Sequence, residues 1–188
     1  MKSIAVFCGS SYGASEQYVE KAKQFGVILT KQDIKLIYGG ASVGLMGVIA
    51  DSVLKNGGQV TGVMPHFLER REIAHPNLTD LIIVDSMHER KAKMAKLAEG
   101  FVALPGGSGT LEEFFEMFTW SQLRLHDKPC ALLNINEYFN PLLTLFNHMI
   151  NENFLHEKFK QSLIIDEDPH VLIDKMNTFL PPEVKTFD

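Results

Sequence analysis

Short apolar runs alternate with helix-length stretches from one end of the sequence to the other. That alternation predicts the α/β class. The stretches between strands are mostly about ten residues or longer, which is what parallel βαβ crossovers require. Three glycine clusters fall at the carboxyl ends of predicted strands: Gly9-Ser-Ser-Tyr-Gly13, Gly39-Gly-Ala-Ser-Val-Gly44 and Gly106-Gly-Ser-Gly109. Sheets of this class bind ligands in the crevice beyond that edge. The prediction is a doubly wound, Rossmann-like sheet of about seven mostly parallel strands, with helices on both faces.

The elements follow in order. Residues 3–8 form an apolar run stopped by Gly9, hence a buried first strand. Ser15 followed by Glu16 opens a helix reaching Lys31. Residues 34–38 are the second strand, ended by Gly39-Gly40. A helix over 44–55 is closed by Asn56-Gly57-Gly58. Residues 60–64 are a third strand, stopped by Pro65, and 66–79 is the least periodic stretch of the chain. Residues 81–84 read as strand, 86–98 as helix and 100–104 as strand, ended by Pro105-Gly106-Gly107. A helix over 110–125, a strand over 131–133, a helix over 138–151 and a short strand over 163–165 come next. A helix over 170–180, closed by Pro181-Pro182, completes the pattern.

A chain of 188 residues fits one domain, 1–188, large enough to need no disulfide or structural metal. The hydrophobic share of 45% and charged share of 22% exclude disorder. No run approaches the ~18 apolar residues of a membrane span. The first residues are too short an apolar stretch for a secretion signal, so the expected location is the cytoplasm. Cys8 and Cys130 lie in apolar runs and are expected as reduced core thiols. The net charge of −5 speaks against a nucleic-acid surface. The basic clusters Arg70-Arg71 and Arg90-Lys91-Ala92-Lys93 are short and suit a small anion. The seven histidines form no metal-ligand spacing, so no metal is expected.

Leu104-Pro-Gly-Gly-Ser-Gly-Thr-Leu-Glu-Glu113 is the most informative segment. A strand ends, glycines turn the chain, and a helix begins. Open amides and the positive end of a helix dipole bind phosphate there. Thr110 and Glu113 also fit a capping box, which would explain Glu113 by structure alone. The segment is neither a dinucleotide fingerprint nor a P-loop, which disfavours NAD and ATP hydrolysis and leaves a nucleoside monophosphate open. In the helix over 86–98, Arg90 falls inside the apolar stripe of Met87, Met94, Leu97 and Ala98, with Lys91 at its edge. An inward guanidinium must meet an anion, either a carboxylate such as Glu113 or a substrate phosphate. Glu112, Glu113 and Glu116 gather near one helix start. A carboxylate beside a phosphate loop can activate water or hold ribose hydroxyls. Gly9-Ser10-Ser11-Tyr12-Gly13 matches the letter of a nucleophile elbow, but no helix starts there at once, and it reads better as a second ligand-facing loop.

These residues resemble a known family. Pro105-Gly-Gly-Ser-Gly-Thr-Leu-Glu-Glu113 resembles the PGGxGTxxE motif of the LOG ("lonely guy") family of cytokinin-activating phosphoribohydrolases. Met87-His-Glu-Arg-Lys-Ala-Lys-Met94 resembles its second motif. Tyr38-Gly-Gly-Ala-Ser-Val-Gly-Leu-Met-Gly47 and the stretch from Trp120 to Pro129 extend the likeness over nearly the whole chain. The resemblance implies hydrolysis of the N-glycosidic bond of cytokinin-type AMP, giving free base and ribose 5-phosphate, without a cofactor or metal. It implies Arg90 and Glu113 as the catalytic pair. It implies substrate binding by Glu72, Arg90, Lys91, Gly106, Gly107, Ser108, Gly109, Thr110, Glu112, Glu113 and Thr119. It also implies a homodimer, with the site near the subunit interface. Members have been labelled lysine decarboxylases, but no lysine here has a context for a pyridoxal Schiff base. Three other readings stand beside this one: a nucleotide-binding module without hydrolysis, a hydrolase using Ser10, and a phosphoribohydrolase acting on other nucleoside monophosphates.

Overall fold

The computed structural model describes residues 1–69 and 74–183. Seven strands form one sheet: β1 Ser3–Phe7, β2 Lys35–Tyr38, β3 Val60–Pro65, β4 Asp80–Val84, β5 Gly100–Ala103, β6 Cys130–Leu133 and β7 Ile164–Asp166. The helices are α1 Glu16–Lys31, α2 Gly44–Lys55, α3 His66–Glu69, α4 Met87–Leu97, α5 Ser108–Gln122, α6 Asn140–Asn151, α7 Glu157–Gln161 and α8 Pro169–Asn177, with a 3-10 turn over Ile135–Glu137. The strand order is β4-β3-β2-β1-β5-β6-β7 and every strand pairing is parallel. The chain begins at the centre, winds out to β4, returns to β5 beside β1, and winds out the other way. The switch point between β1 and β5 is therefore where such a sheet opens a ligand crevice.

Both faces of the sheet are covered, so the central strands are buried throughout. In β1, Ile4 and Val6 face the layer of α1, α2 and α8, where Phe25, Ile49 and Leu172 pack. Ala5 and Phe7 face the opposite layer, where Met94, Phe114, Phe118, Phe146 and Phe159 pack. This is the period-2 side-chain alternation of a strand between two helical layers. The helix starts follow from local chemistry. Ser15 Oγ accepts from Gln17 N at 3.3 Å, and Ser86 Oγ accepts from Glu89 N at 3.1 Å. Asp168 caps α8 by accepting from His170 N and Val171 N.

Several expected boundaries move. The helix expected from Thr110 begins at Ser108, with Gly107 as an N-cap that lends no side chain. Thr110 thus lies inside the first turn, so the capping box with Glu113 does not form. The chain has already turned at Pro105-Gly106-Gly107, and the helix starts two residues sooner. The helix expected over 138–151 is α6, which begins two residues later, at Asn140, after the short 3-10 turn over Ile135–Glu137 in which Asn136 is left-handed. The stretch over 66–79 contains α3 and a single antiparallel bridge, Ala41 to Ala74. Helix α7 was not foreseen, and α8 ends at Asn177 rather than 180.

Candidate active site

The two glycine loops at the switch point are stitched into one wall. Gly9 N donates to Pro105 O at 3.1 Å, and Leu104 N donates to Phe7 O at 2.9 Å. A Cβ on Gly106 would lie 2.1 Å from Thr110 Oγ1 and 2.8 Å from Gly9 N, so only glycine permits this approach. Behind the wall, the Tyr138 hydroxyl donates to Gly106 O at 2.6 Å. In front of it, α5 starts with no side-chain cap, and its first helical bond runs from Leu111 N to Gly107 O at 3.2 Å. The amides of Gly107, Ser108, Gly109 and Thr110 therefore have no acceptor within the helix. Together with the helix dipole they make an anion seat.

That seat opens onto a cavity of about 350 Å³. Gly107, Ser108, Gly109, Thr110, Glu112 and Glu113 line one side, and Cys8, Gly9 and Ser10 extend it. Arg90 lines it from α4, while Met46, Leu68 and Met87 supply its apolar part. Among the described residues the lining holds no histidine to serve Ser10 as the base a nucleophilic serine needs. Of the glycine loop over 9–13, Gly9 and Ser10 line this cavity.

Arg90 is the unusual member. Its side chain is buried, at 5% exposure, and crosses directly over Gly39. Nη1 points at the thioether of Met87, 3.7 Å away, which is a weak acceptor, and the buried Nε has no hydrogen-bond partner among the described residues. A guanidinium stays charged at any physiological pH, and a buried charge left under-bonded costs several kcal/mol. Such a group is arranged for something that enters the cavity. Glu113 shares the cavity and lies close enough to Cys8 to affect it. Burial first, and then the Glu113 charge, push the Cys8 thiol far up, so it stays protonated.

The expected site residues are not all found together. Arg90, Gly107, Ser108, Gly109, Thr110, Glu112 and Glu113 meet at the cavity, and Gly106 forms the wall behind it. Lys91 was expected at the edge of its helix's apolar stripe but is buried. Its ammonium pairs with Glu112 and, at 3.1 Å, with Glu116. Burial presses its pKa down, but the hydrogen bonds it donates to the two carboxylates, with their charges, more than reverse this and hold it above the usual lysine value. Lys91 therefore clamps α4 to α5, which fixes Arg90 relative to Glu113. Thr119 is exposed, further along α5, and does not line the cavity. Glu72 lies outside the described residues, as do Arg70 and Arg71. Sequence reasoning missed Met46, Leu68 and Tyr138. Met46 and Tyr138 sit in otherwise ordinary helix or turn contexts, and Leu68 lies in the aperiodic stretch.

Residues 46–176 match a family described as "Possible lysine decarboxylase". The chain is 48% identical over 168 residues to a cytokinin riboside 5'-monophosphate phosphoribohydrolase of Rhodococcoides fascians, covering 89% of this chain and 85% of that one. It is 41% identical over 184 residues to a protein of the same name from Arabidopsis thaliana, covering 98% of this chain and 86% of that one. Among solved structures, a molybdenum cofactor binding protein of Rippkaea orientalis superposes with a TM-score of 0.70 at 20% identity, over 95% of this chain and 97% of that one. The molybdenum cofactor carrier protein of Chlamydomonas reinhardtii superposes with a TM-score of 0.69 at 17% identity, over 93% and 95%. These two likenesses show a shared fold.

Proposed function

This chain belongs to the LOG family, that of the cytokinin riboside 5'-monophosphate phosphoribohydrolases, and on that premise we propose that it hydrolyses the N-glycosidic bond of a cytokinin-type adenosine monophosphate, giving free base and ribose 5-phosphate. The observation that carries the reading is a buried guanidinium, its Nε without a hydrogen-bond partner among the described residues, lining the same cavity as a carboxylate and an open helix start. The amides of Gly107, Ser108, Gly109 and Thr110 seat the phosphate. Met46, Leu68 and Met87 face the base.

Cleavage breaks the bond between the anomeric carbon and the base nitrogen, and the electron pair leaves with the base. Positive charge builds on the ribose ring. The Glu113 carboxylate stabilises that charge electrostatically, holds ribose hydroxyls and orients the attacking water. The Arg90 guanidinium donates to the departing base, which takes up negative charge and then the proton that the attacking water gives up. Water supplies the new anomeric hydroxyl. Lys91 and Glu112 act from behind, by holding the two helices that carry the pair. No imine chemistry fits Lys91, because an imine-forming lysine needs a lowered pKa and Lys91 is held as an ammonium.

The homodimer implied by the resemblance, and the cytoplasmic location and single-domain organisation expected from the sequence, belong to this proposal. Among the described residues, no helix is long and apolar enough to cross a membrane. The test is chromatographic. Purified protein is incubated with isopentenyl-AMP and, separately, AMP, GMP and CMP. Base and ribose 5-phosphate released in equal amounts, fastest from isopentenyl-AMP, is the expected result. Binding of a nucleotide without release of base would overturn it.

A further inference from the structure

The loop at the start of α5 is fixed one peptide at a time. Pro105 O accepts from Gly9 N at 3.1 Å, Gly106 O from the Tyr138 hydroxyl at 2.6 Å, and Gly107 O from Leu111 N at 3.2 Å. The first and third of these bonds are backbone, and the middle one depends on a side-chain hydroxyl. That middle peptide carries the Gly107 amide, and it is trans. In a planar trans peptide the C=O and the N–H point in opposite directions. A donor behind Gly106 O therefore turns the Gly107 N–H forward, toward the cavity that Gly107 lines. Glycine on both sides of the peptide leaves its rotation with little steric control. A Cβ at Gly107 would meet nothing within 4 Å, so packing on that side does not fix it either. A hydrogen bond accepted by the carbonyl also polarises the peptide and strengthens its N–H as a donor.

Tyr138 is aimed by the turn that follows β6. Asn134 N donates to Asp166 O at 2.8 Å, which ties the turn to β7. Asn134 Oδ1 accepts from Phe139 N at 2.7 Å, so one side chain closes the turn from its first residue to its last. Inside it, Glu137 N donates to Asn134 O at 3.2 Å and Tyr138 N to Ile135 O at 3.1 Å. Asn136 and Glu137 take φ of 52° and 56°, a left-handed pair that residues with a Cβ adopt reluctantly. Closure by Asn134 holds them there. The Tyr138 ring packs edge-on against Tyr18, with centroids 5.9 Å apart, and against Phe139 at 5.1 Å. We propose that Tyr138, aimed by the Asn134 turn, is a positioning residue for the phosphate: it turns and polarises the Gly107 amide, and so sets the preference for a nucleoside monophosphate over the nucleoside. Tyr138 does not line the cavity and acts without touching substrate. The inference rests on the nucleotide reading and adds to it a determinant of phosphate affinity outside the glycine loop.

Three variants and one double variant test it. Tyr138→Phe removes the hydroxyl and keeps the ring, and because Tyr138 is exposed the core stays closed. Asn134→Ala releases the turn, and Asn134→Asp keeps an oxygen for Phe139 N. Binding of isopentenyl-AMP, ribose 5-phosphate and isopentenyladenosine is measured by calorimetry, alongside KM and kcat. Tyr138→Phe should weaken isopentenyl-AMP and ribose 5-phosphate about fivefold, the effect of one lost hydrogen bond. KM should rise in step and kcat stay within about twofold. Isopentenyladenosine, which has no phosphate, should bind variant and wild type equally. Asn134→Ala should weaken the same two phosphate-bearing ligands, with Asn134→Asp near wild type. In the Tyr138→Phe background Asn134→Ala should weaken them no further, because it acts through the same hydroxyl. Equal weakening of all three ligands would mean general loosening of the fold and would overturn the inference. So would unchanged binding of ribose 5-phosphate by Tyr138→Phe, or effects of the two substitutions that multiply in the double variant. If Asn134→Ala fails to fold, Tyr138→Phe decides. Wild-type protein that binds neither phosphate-bearing ligand would overturn the nucleotide reading itself, and the role of Tyr138 with it.

Discussion

Gly39 offers a way to move Arg90 without changing it. A Cβ at position 39 would lie 1.9 Å from Arg90 Nη2 and 3.1 Å from Cζ. The Gly39 backbone is not in the left-handed region, so alanine is conformationally allowed and the clash is the whole effect. Ordinary non-bonded contact needs about 3.5 Å, so the guanidinium must retreat by roughly 1.5 Å. Misplacing a catalytic group by ~1 Å costs on the order of 10²-fold, or ~2.7 kcal/mol of barrier. What yields is the end of a flexible side chain, so the stability cost should sit near the low end for overpacking, about 1–2 kcal/mol. For a chain of this length that is a Tm fall of roughly 2–8 °C. Gly39→Ala should therefore be folded and at least about 50-fold slower in base release from isopentenyl-AMP. Gly47→Ala is the contrast, because its Cβ would meet Ser42 O at 2.1 Å, which is backbone and cannot swing aside. It should lose more stability than Gly39→Ala. Turnover by folded Gly39→Ala within threefold of wild type would refute the dependence on Arg90's position.

Other perturbations separate the parts of the site. Tyr138→Phe removes the hydroxyl that holds Gly106 O. It should raise KM about fivefold through a looser phosphate seat, with kcat nearly unchanged in steady-state assays. Lys91→Met leaves Glu116, whose Oε2 is buried, without its cation. Thermal melts should show ~1–3 kcal/mol of lost stability, and turnover should fall with the loosened α4–α5 clamp. Both cysteines should resist iodoacetamide at pH 8 in the folded protein and react after denaturation, read by mass spectrometry. Burial pushes the Cys130 thiol up to about 12, and burial with the nearby Glu113 charge pushes Cys8 higher still, so neither is a thiolate at that pH. Rapid alkylation of Cys8 would mean that the cavity floor is wetter than described.

The sheet was legible because its strands are buried on both faces. Runs such as residues 4–8 and 101–104 are continuously apolar and are stopped by Gly9 and by Pro105-Gly106. The phosphate loop was legible because glycines crowd a strand-to-helix turn beyond what the turn needs. Its first helical residue was not, since Gly107 can begin α5 with no capping side chain to announce it. Arg90 could be placed inward from the 3.6-residue period alone. Lys91, one residue on, could not. Whether a lysine at a stripe's edge snorkels outward or turns in depends on the carboxylates of a different helix, here Glu112 and Glu116. The link between His75 and Asp51 spans the gap from α2 to the β3–β4 connection. It joins two unremarkable residues whose proximity only the topology creates. The same holds for Tyr138, which reaches back 32 positions to Gly106. Periodicity reports which face a residue takes, and tertiary contact decides what it meets there.

The central claim is that Glu113 stabilises the charge developing on the ribose ring of a nucleotide held by the loop beginning at Gly107. Glu113→Gln keeps the shape and removes the charge. The measurement is release of free base from isopentenyl-AMP by wild type and by this variant, with nucleotide binding to each followed by calorimetry. The account predicts that wild type releases base, that the variant is slower by about 10²–10³-fold, and that its affinity for the nucleotide stays within a few-fold of wild type. A variant that binds the nucleotide and releases base at near wild-type rate would contradict it.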